Sequence, residues 1–219
     1  DEVLWLAEVR FDDRADDIKA LKALGVLVSH GVGSIGFSHQ TLFEHALARS
    51  FARGDGALSR FVLERESSLF LRPKLWAALN YLRAVEAPAY RKQIETIWNQ
   101  PTLRVHLRQL VIEFLGQQVA PFDHEELIMT QALGTDRDRP IALNAIVGSA
   151  GWFDRLGRQF VEPAMVRDSD IGIASGILTR AWAFASDRVL AMIQSKWVGD
   201  PQFDRIFLRV LQDCPHWTR

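Results

Sequence analysis

The chain has 219 residues, of which 48% are hydrophobic and 24% charged, and 26 basic residues nearly balance 27 acidic ones to give a net charge of −1. This composition is typical of a globular protein of one or two domains, and the near-neutral charge disfavours nucleic-acid binding through bulk positive charge. A single cysteine, Cys214, excludes a disulfide framework and a cysteine-rich zinc site.

No apolar run reaches the roughly 18 residues that a membrane-spanning helix needs, and no signal peptide precedes the first segment. We therefore expect a cytoplasmic protein without a membrane segment. Because the chain opens with Asp1 rather than Met, we also expect it to be part of a longer polypeptide.

Residues 1–54 combine helical and strand patterns. The predicted elements in chain order are a helix over 18–24, strands over 26–28 and 35–37, and a helix over 39–53. Gly25 is a plausible C-cap of the first helix, and Ser38 is a candidate N-cap of the second. Helix, hairpin and helix in this order predict the C-terminal half of a winged-helix module, with one β hairpin.

Residues 55–219 carry helical periodicity nearly throughout. The predicted helix starts are marked by Pro73, Pro101, Pro140, Asp170 and Pro201, and shorter helices are expected near 89–98, 123–133, 154–165 and 187–197. A helical pair that recurs on this scale favours a HEAT-like α-solenoid, since one pair cannot bury its own apolar face. An irregular helical bundle is the alternative.

The run from Gly31 to Gly36 matches the dinucleotide-binding pattern G-x-G-x-x-G. That chemistry needs a βαβ unit with an acidic residue at the end of a second strand. A helix follows here and no second strand comes after it, so we interpret these glycines as the tip of the hairpin, where tight turns need positive φ.

His39 lies at the start of the helix that follows the hairpin. The first turn of a helix has unpaired backbone N–H groups, which suit a phosphate or another anion. The simpler interpretation is an amphipathic helix in which His39 is only a polar residue of the first turn.

The stretch from Phe37 to Arg49 resembles the F-x-H-x-x-F-x-E-Y-x-A-A-R pattern in the winged-helix domain of STAND-class NTPases, the NACHT and AP-ATPase relatives. The approximate matches are Phe37, His39, Leu42 or Phe43, Glu44, Ala46 and Arg49, whereas His45 stands where an aromatic residue is usual. The resemblance implies that His39 approaches the β-phosphate of bound ADP and helps to hold a closed resting state.

No G-x-x-x-x-G-K-[ST] phosphate-binding loop occurs in the sequence. The resemblance therefore implies that this chain lies downstream of an NTPase domain of the same polypeptide, where ADP or ATP would bind. It further implies a protein or peptide ligand on the helical repeats, oligomerisation on activation, and a role in signalling or defence. We expect no cofactor and no enzymatic activity in this chain by itself.

Other candidate chemistry is weaker. The acidic run from Asp123 to Glu126 contains metal-ligand residue types, but acids in a first helical turn explain it better, and no H-E-x-x-H motif occurs. We predict no metal site and no catalytic residues. Arg104 and Arg108 are expected on a solvated helix face.

Two further functions remain open. One is a stand-alone helical-repeat scaffold that binds proteins and has no link to a nucleotide. The other is a HEAT-like DNA glycosylase, for which the chain offers Trp152, Asp154, Arg155 and Trp182 as base-contacting groups. The near-neutral charge argues against the second.

Overall fold

A computed structural model describes residues 5–213, except 53, 55–56, 66–67, 69–70, 148, 168–169 and 202. The chain divides into two compact units, Asp1–Ile97 and Trp98–Arg219. The predicted domain boundary between residues 54 and 55 falls inside the first unit and stays a prediction. Cys214 and Trp217 lie outside the described residues.

The first unit opens with a small sheet and continues as helices. Its elements are β1 (Leu6–Ala7), a 3₁₀ segment (Glu8–Arg14), α1 (Ala15–Ala23), β2 (Leu27–Ser29), β3 (Ser34–Phe37), α2 (Gln40–Ala52), α3 (Ala57–Glu64), α4 (Leu71–Val85) and α5 (Ala87–Trp98), whose last residue begins the second unit. The predicted hairpin is confirmed as β2 and β3. A third strand, β1, pairs antiparallel with β3 and was not predicted, because two residues are too few to show strand alternation.

Glycines form the two turns that shape this sheet. Gly31 and Gly33 have φ of 61° and 73° at the hairpin tip, and Gly36 lies within β3 opposite Val28. Gly25, with φ of 71°, ends α1 in a turn in which its own N–H donates to the Lys22 carbonyl. The G-x-G-x-x-G run is therefore a hairpin, as expected.

The sheet and α1 share a small hydrophobic core. Ile18, Leu27 and Ile35 are buried, and Phe11, Leu21 and Phe37 pack around them. The helices behind it bury larger aliphatic faces, and α2 packs against α4. Ser59 of α3 donates its backbone N–H to the buried amide oxygen of Gln93 at 2.8 Å, which ties α3 to α5.

The second unit is helical in its described residues. Its elements are α6 (Val105–Gly116), α7 (Asp123–Leu133), α8 (Arg139–Ala145), α9 (Ala150–Leu156), a π-helical turn (Gly157–Val161), α10 (Glu162–Ala164), α11 (Ile171–Lys196) and α12 (Asp204–Asp213).

Some of the predicted helix starts are confirmed and others are wrong. The start at Asp170 and the helix over 123–133 agree with α11 and α7. Pro101 lies in a turn before α6 instead of opening it. The predicted helix over 187–197 corresponds to the part of α11 that follows a kink at Ala185, where φ of −143° is non-helical.

Two tryptophans anchor the core of the second unit. Trp152 and Trp197 are fully buried. Their indole N–H groups donate to the carbonyls of Leu115 at 2.6 Å and Met165 at 2.9 Å, so each ring fills core space without losing a hydrogen bond. Both residues therefore belong to the core of the second unit.

The fold class is thus confirmed at its coarser level: a mainly helical chain with a small three-stranded antiparallel sheet. Among the described residues, no helix combines the length and the apolar character required to cross a bilayer.

Two glycines permit close backbone approach in the second unit. A Cβ on Gly151 would lie 2.3 Å from the Val119 carbonyl oxygen, and one on Gly116 would lie 2.6 Å from Cβ of Ala145. Both distances are too short for any real side chain, so neither position tolerates alanine without movement of the backbone.

We predict that Gly116→Ala and Gly151→Ala each lower the free energy of unfolding by about 1–3 kcal/mol. The matched control is Gly176→Ala within α11, where no atom lies within 4 Å of the added methyl group. Alanine should raise stability there by roughly 0.5–1 kcal/mol, because glycine loses more chain entropy on folding. Urea unfolding followed by circular dichroism measures all three, and equal stability of Gly116→Ala and Gly176→Ala would contradict the assignment.

Candidate functional site

Ser38 connects the hairpin to α2. Its hydroxyl donates to the Gly25 carbonyl at 2.6 Å, and its backbone N–H donates to the Val26 carbonyl at 3.0 Å. The carbonyl of His39 accepts from the N–H groups of Leu42 and Phe43. His39, rather than the predicted Ser38, therefore occupies the N-cap position, because the Ser38 side chain is engaged with the turn after α1.

The imidazole of His39 is exposed at the beginning of α2. It lines a small cavity of about 110 Å³ together with Trp5, Phe37, Gln40 and Phe43. An exposed imidazole beside the first-turn amides of a helix is an arrangement that can meet an anion.

Aromatic rings form the wall of this cavity. The rings of Phe37 and Phe43 lie 5.8 Å apart, and Trp5 stacks on His30 at 4.4 Å. Trp5 was not predicted as a neighbour of His39. No local pattern could have found it, because their proximity depends on the pairing of β1 with β3.

The charges around the site have both signs. The ammonium of Lys74 lies 5.2 Å from the ring centre of Phe43, which brings a cation close to the aromatic wall. Glu44, one turn after His39, accepts a hydrogen bond from the Gln40 side chain at 2.8 Å. An anion at His39 would therefore lie closer to the positive end of the helix dipole than to the Glu44 carboxylate, which is about one turn further along α2.

Of the four residues predicted for DNA-base contact, one is buried and two form ion pairs. Trp152 is fully buried and cannot stack on a base. Asp154 pairs with Arg188, whereas Arg155 pairs with Asp123 at 3.1 Å and Glu126 at 2.6 Å. These ion pairs join α9 to α11 and to α7.

The acidic run at the start of α7 has structural partners. Glu125 is fully buried, and its carboxylate accepts the Phe122 N–H at 2.7 Å, which caps the helix. Among the described residues, no three His, Cys, Asp or Glu side chains are grouped so that they could hold a metal ion.

Arg108 was predicted to lie on a solvated helix face, and this prediction is wrong. Its side chain is only 15% exposed. Its guanidinium covers the Trp98 ring at 3.9 Å and donates to the Asp138 carboxylate at 3.1 Å. The indole of Trp98 in turn donates to Gln131 at 2.7 Å. This group joins the end of α5 to α6, α7 and the start of α8, so its role is structural.

Asp138 is the buried anion of that group, 1% exposed and also paired with Arg137. Burial acts to raise the pKa of Asp138, but hydrogen bonds from Arg137 and Arg108, with their charges, outweigh it and lower the pKa below the ordinary value. A folded-state pKa below the unfolded one stabilises the fold above about pH 4, and this contribution is lost as the pH falls through the folded-state pKa.

We predict that Asp138→Asn lowers the free energy of unfolding by about 3 kcal/mol at pH 7, because it leaves the Arg108 cation without its buried partner. The difference from the unsubstituted chain should shrink as the pH falls below about 4. Asp136→Asn is the control: that carboxylate is 94% exposed in its pair with Arg139, and its loss should cost less than about 1 kcal/mol. Denaturant unfolding across pH measures both, and a pH-independent loss at Asp138 would argue against this electrostatic role.

Comparisons of the chain with protein-family models, with curated proteins and with solved structures find no match.

Proposed function

We propose that this chain is a regulatory and sensing segment of a STAND-type NTPase. In this proposal the sheet, α1 and α2 act as the winged-helix part, and His39 contacts a phosphate of ADP held by an NTPase domain encoded upstream. The later helices form HEAT-like repeats that bind a protein or peptide ligand. The chain works in the cytoplasm and has no catalytic activity by itself.

The observation that carries the proposal is the position of His39. Its imidazole is exposed, and its backbone forms the N-cap of α2 directly after the hairpin. A phosphate placed there would receive hydrogen bonds from first-turn amides and from the imidazole, and the helix dipole would favour its negative charge.

The helical repeats are supported by the order of contacts in the second unit. Helix α6 packs with α7 and α8, α8 packs with α7 and α11, and α11 packs with α9, α10 and α12. Helices that stack mainly on near neighbours can present a long surface to a partner, which suits a sensor.

Coupling between ligand and nucleotide follows from population shift. A ligand on the repeats activates the protein only if it binds the open state more tightly than the closed one. A contact between His39 and phosphate stabilises the closed state, and its strength sets part of the threshold that the ligand must overcome.

We predict that His39→Ala in the product of the complete reading frame speeds release of a fluorescent ADP analogue about tenfold, and raises ATPase activity in the absence of ligand. A charge-assisted hydrogen bond is worth roughly 1.5–3 kcal/mol, and about 1.4 kcal/mol corresponds to tenfold. His39→Arg should restore slow release, because arginine supplies a cationic hydrogen-bond donor to the phosphate. Stopped-flow fluorescence gives the release rates.

The control for this experiment is His106→Ala in α6, a histidine of the second unit. Equal ADP release from the two alanine variants would overturn the assignment of His39. A reading frame with no phosphate-binding loop upstream would overturn the NTPase link and favour the stand-alone scaffold.

A further inference from the structure

An open groove lies on the side of α2 within the first unit. It measures about 570 Å³, and its lining combines apolar side chains, among them Leu21, Val26, Phe37 and Leu42, with the polar side chains of His45, Arg49 and Ser50. The walls come from α1, from the base of the hairpin and from one face of α2. The groove is therefore a site distinct from the His39 cavity, although Phe37 lines both.

Helix α2 has two different faces. Ala48 and Phe51 are buried on one side, at 2% and 6% exposure. Leu42, Ala46 and Arg49 follow one another at i, i+4 and i+7, which places them together on the other side. Leu42 is half-buried and Ala46 is exposed, so this second face is incompletely covered by the chain itself.

The spacing of the groove residues fits a helix better than a compact ligand. From Leu42 to Arg49 the helix advances about 10 Å, or two turns. A partner helix laid along such a face inserts side chains from successive turns, at i and i+4. The opposite wall, formed by Leu21, Val26 and Phe37, turns this face into a trough.

The charge of Arg49 indicates in which direction a partner helix would lie in the groove. Arg49 is exposed at the C-terminal end of the groove, and within the described part of the chain it enters no ion pair. The Glu44 carboxylate on the same helix accepts from Gln40 instead. A carboxylate on the partner, one turn beyond its apolar anchors, would complement Arg49.

We propose that this groove binds an amphipathic helix of a protein partner, with two apolar side chains at i and i+4 in the trough and an acidic residue at i+7 paired with Arg49. The acidic residue sets the orientation of the helix, and the apolar residues supply most of the affinity. The proposal needs no nucleotide and stands apart from the function proposed above.

The test uses the full chain and a phage-displayed library of helical peptides. Each peptide has Leu at i and i+4, and Glu, Gln or Lys at i+7, with the other positions free. We expect selection on the unsubstituted chain to enrich Glu over Lys. Selection on Arg49→Glu should reverse this preference, whereas the control Arg60→Glu, an exposed arginine of α3, should leave it unchanged.

The best Glu peptide is then synthesised and its Kd is measured by fluorescence polarisation. Arg49→Glu should weaken it at least about tenfold, as expected for loss and reversal of a close charge pair, and a Lys peptide should restore binding. Ala46→Trp should block the trough, whereas Ala84→Trp on the exposed surface of α4 should not. Binding of the Lys peptide to Arg49→Glu requires a folded variant, so this rescue also shows that the substitution has not disrupted the fold.

Three results would overturn the proposal. The first is the absence of binding by any peptide, or equal enrichment of Glu and Lys. The second is binding of 8-anilinonaphthalene-1-sulfonate, but of no peptide, with dependence on Arg49 and Ala46, which would assign the groove to small apolar anions. The third is self-association that Ala46→Trp abolishes, which would assign it to a second copy of this chain.

Discussion

The two hydrogen bonds from Ser38 to the turn after α1 decide where α2 begins, and both surfaces proposed for ligands in the first unit depend on that starting point. Each residue of an α-helix turns by about 100° relative to the one before it. A start displaced by one residue would rotate the stripe of Leu42, Ala46 and Arg49 away from the hairpin. It would also move His39 out of the N-cap position.

The same turn explains why the two surfaces are neighbours. Phe37 ends β3 just before Ser38 and lines both the His39 cavity and the groove. A change in the Phe37 ring caused by a ligand on one side would alter the wall on the other.

The second unit depends on close packing rather than on a turn. Gly116 and Gly151 let backbone segments approach more closely than a Cβ would allow, and the indoles of Trp152 and Trp197 are buried with their N–H groups bonded to carbonyls. Within this packed interior the Asp138 carboxylate is tolerated because two arginines neutralise it and hydrogen-bond to it. These buried polar groups therefore stabilise the fold of the second unit and are not exposed for binding a partner.

From the sequence alone, the local elements were largely predictable. Periodicity and capping residues placed α7 and the start of α11 correctly, and glycine chemistry identified the hairpin at Gly31 and Gly33, because these signals act within a few residues of the chain. Tertiary structure decided what depends on distant residues: β1, which exists only through β3; Trp5 beside His39; and the burial of Arg108 against Trp98. The amphipathic pattern of Arg108 resembles that of a solvated arginine, and only the Asp138 carboxylate, contributed from 30 residues away, makes its burial favourable.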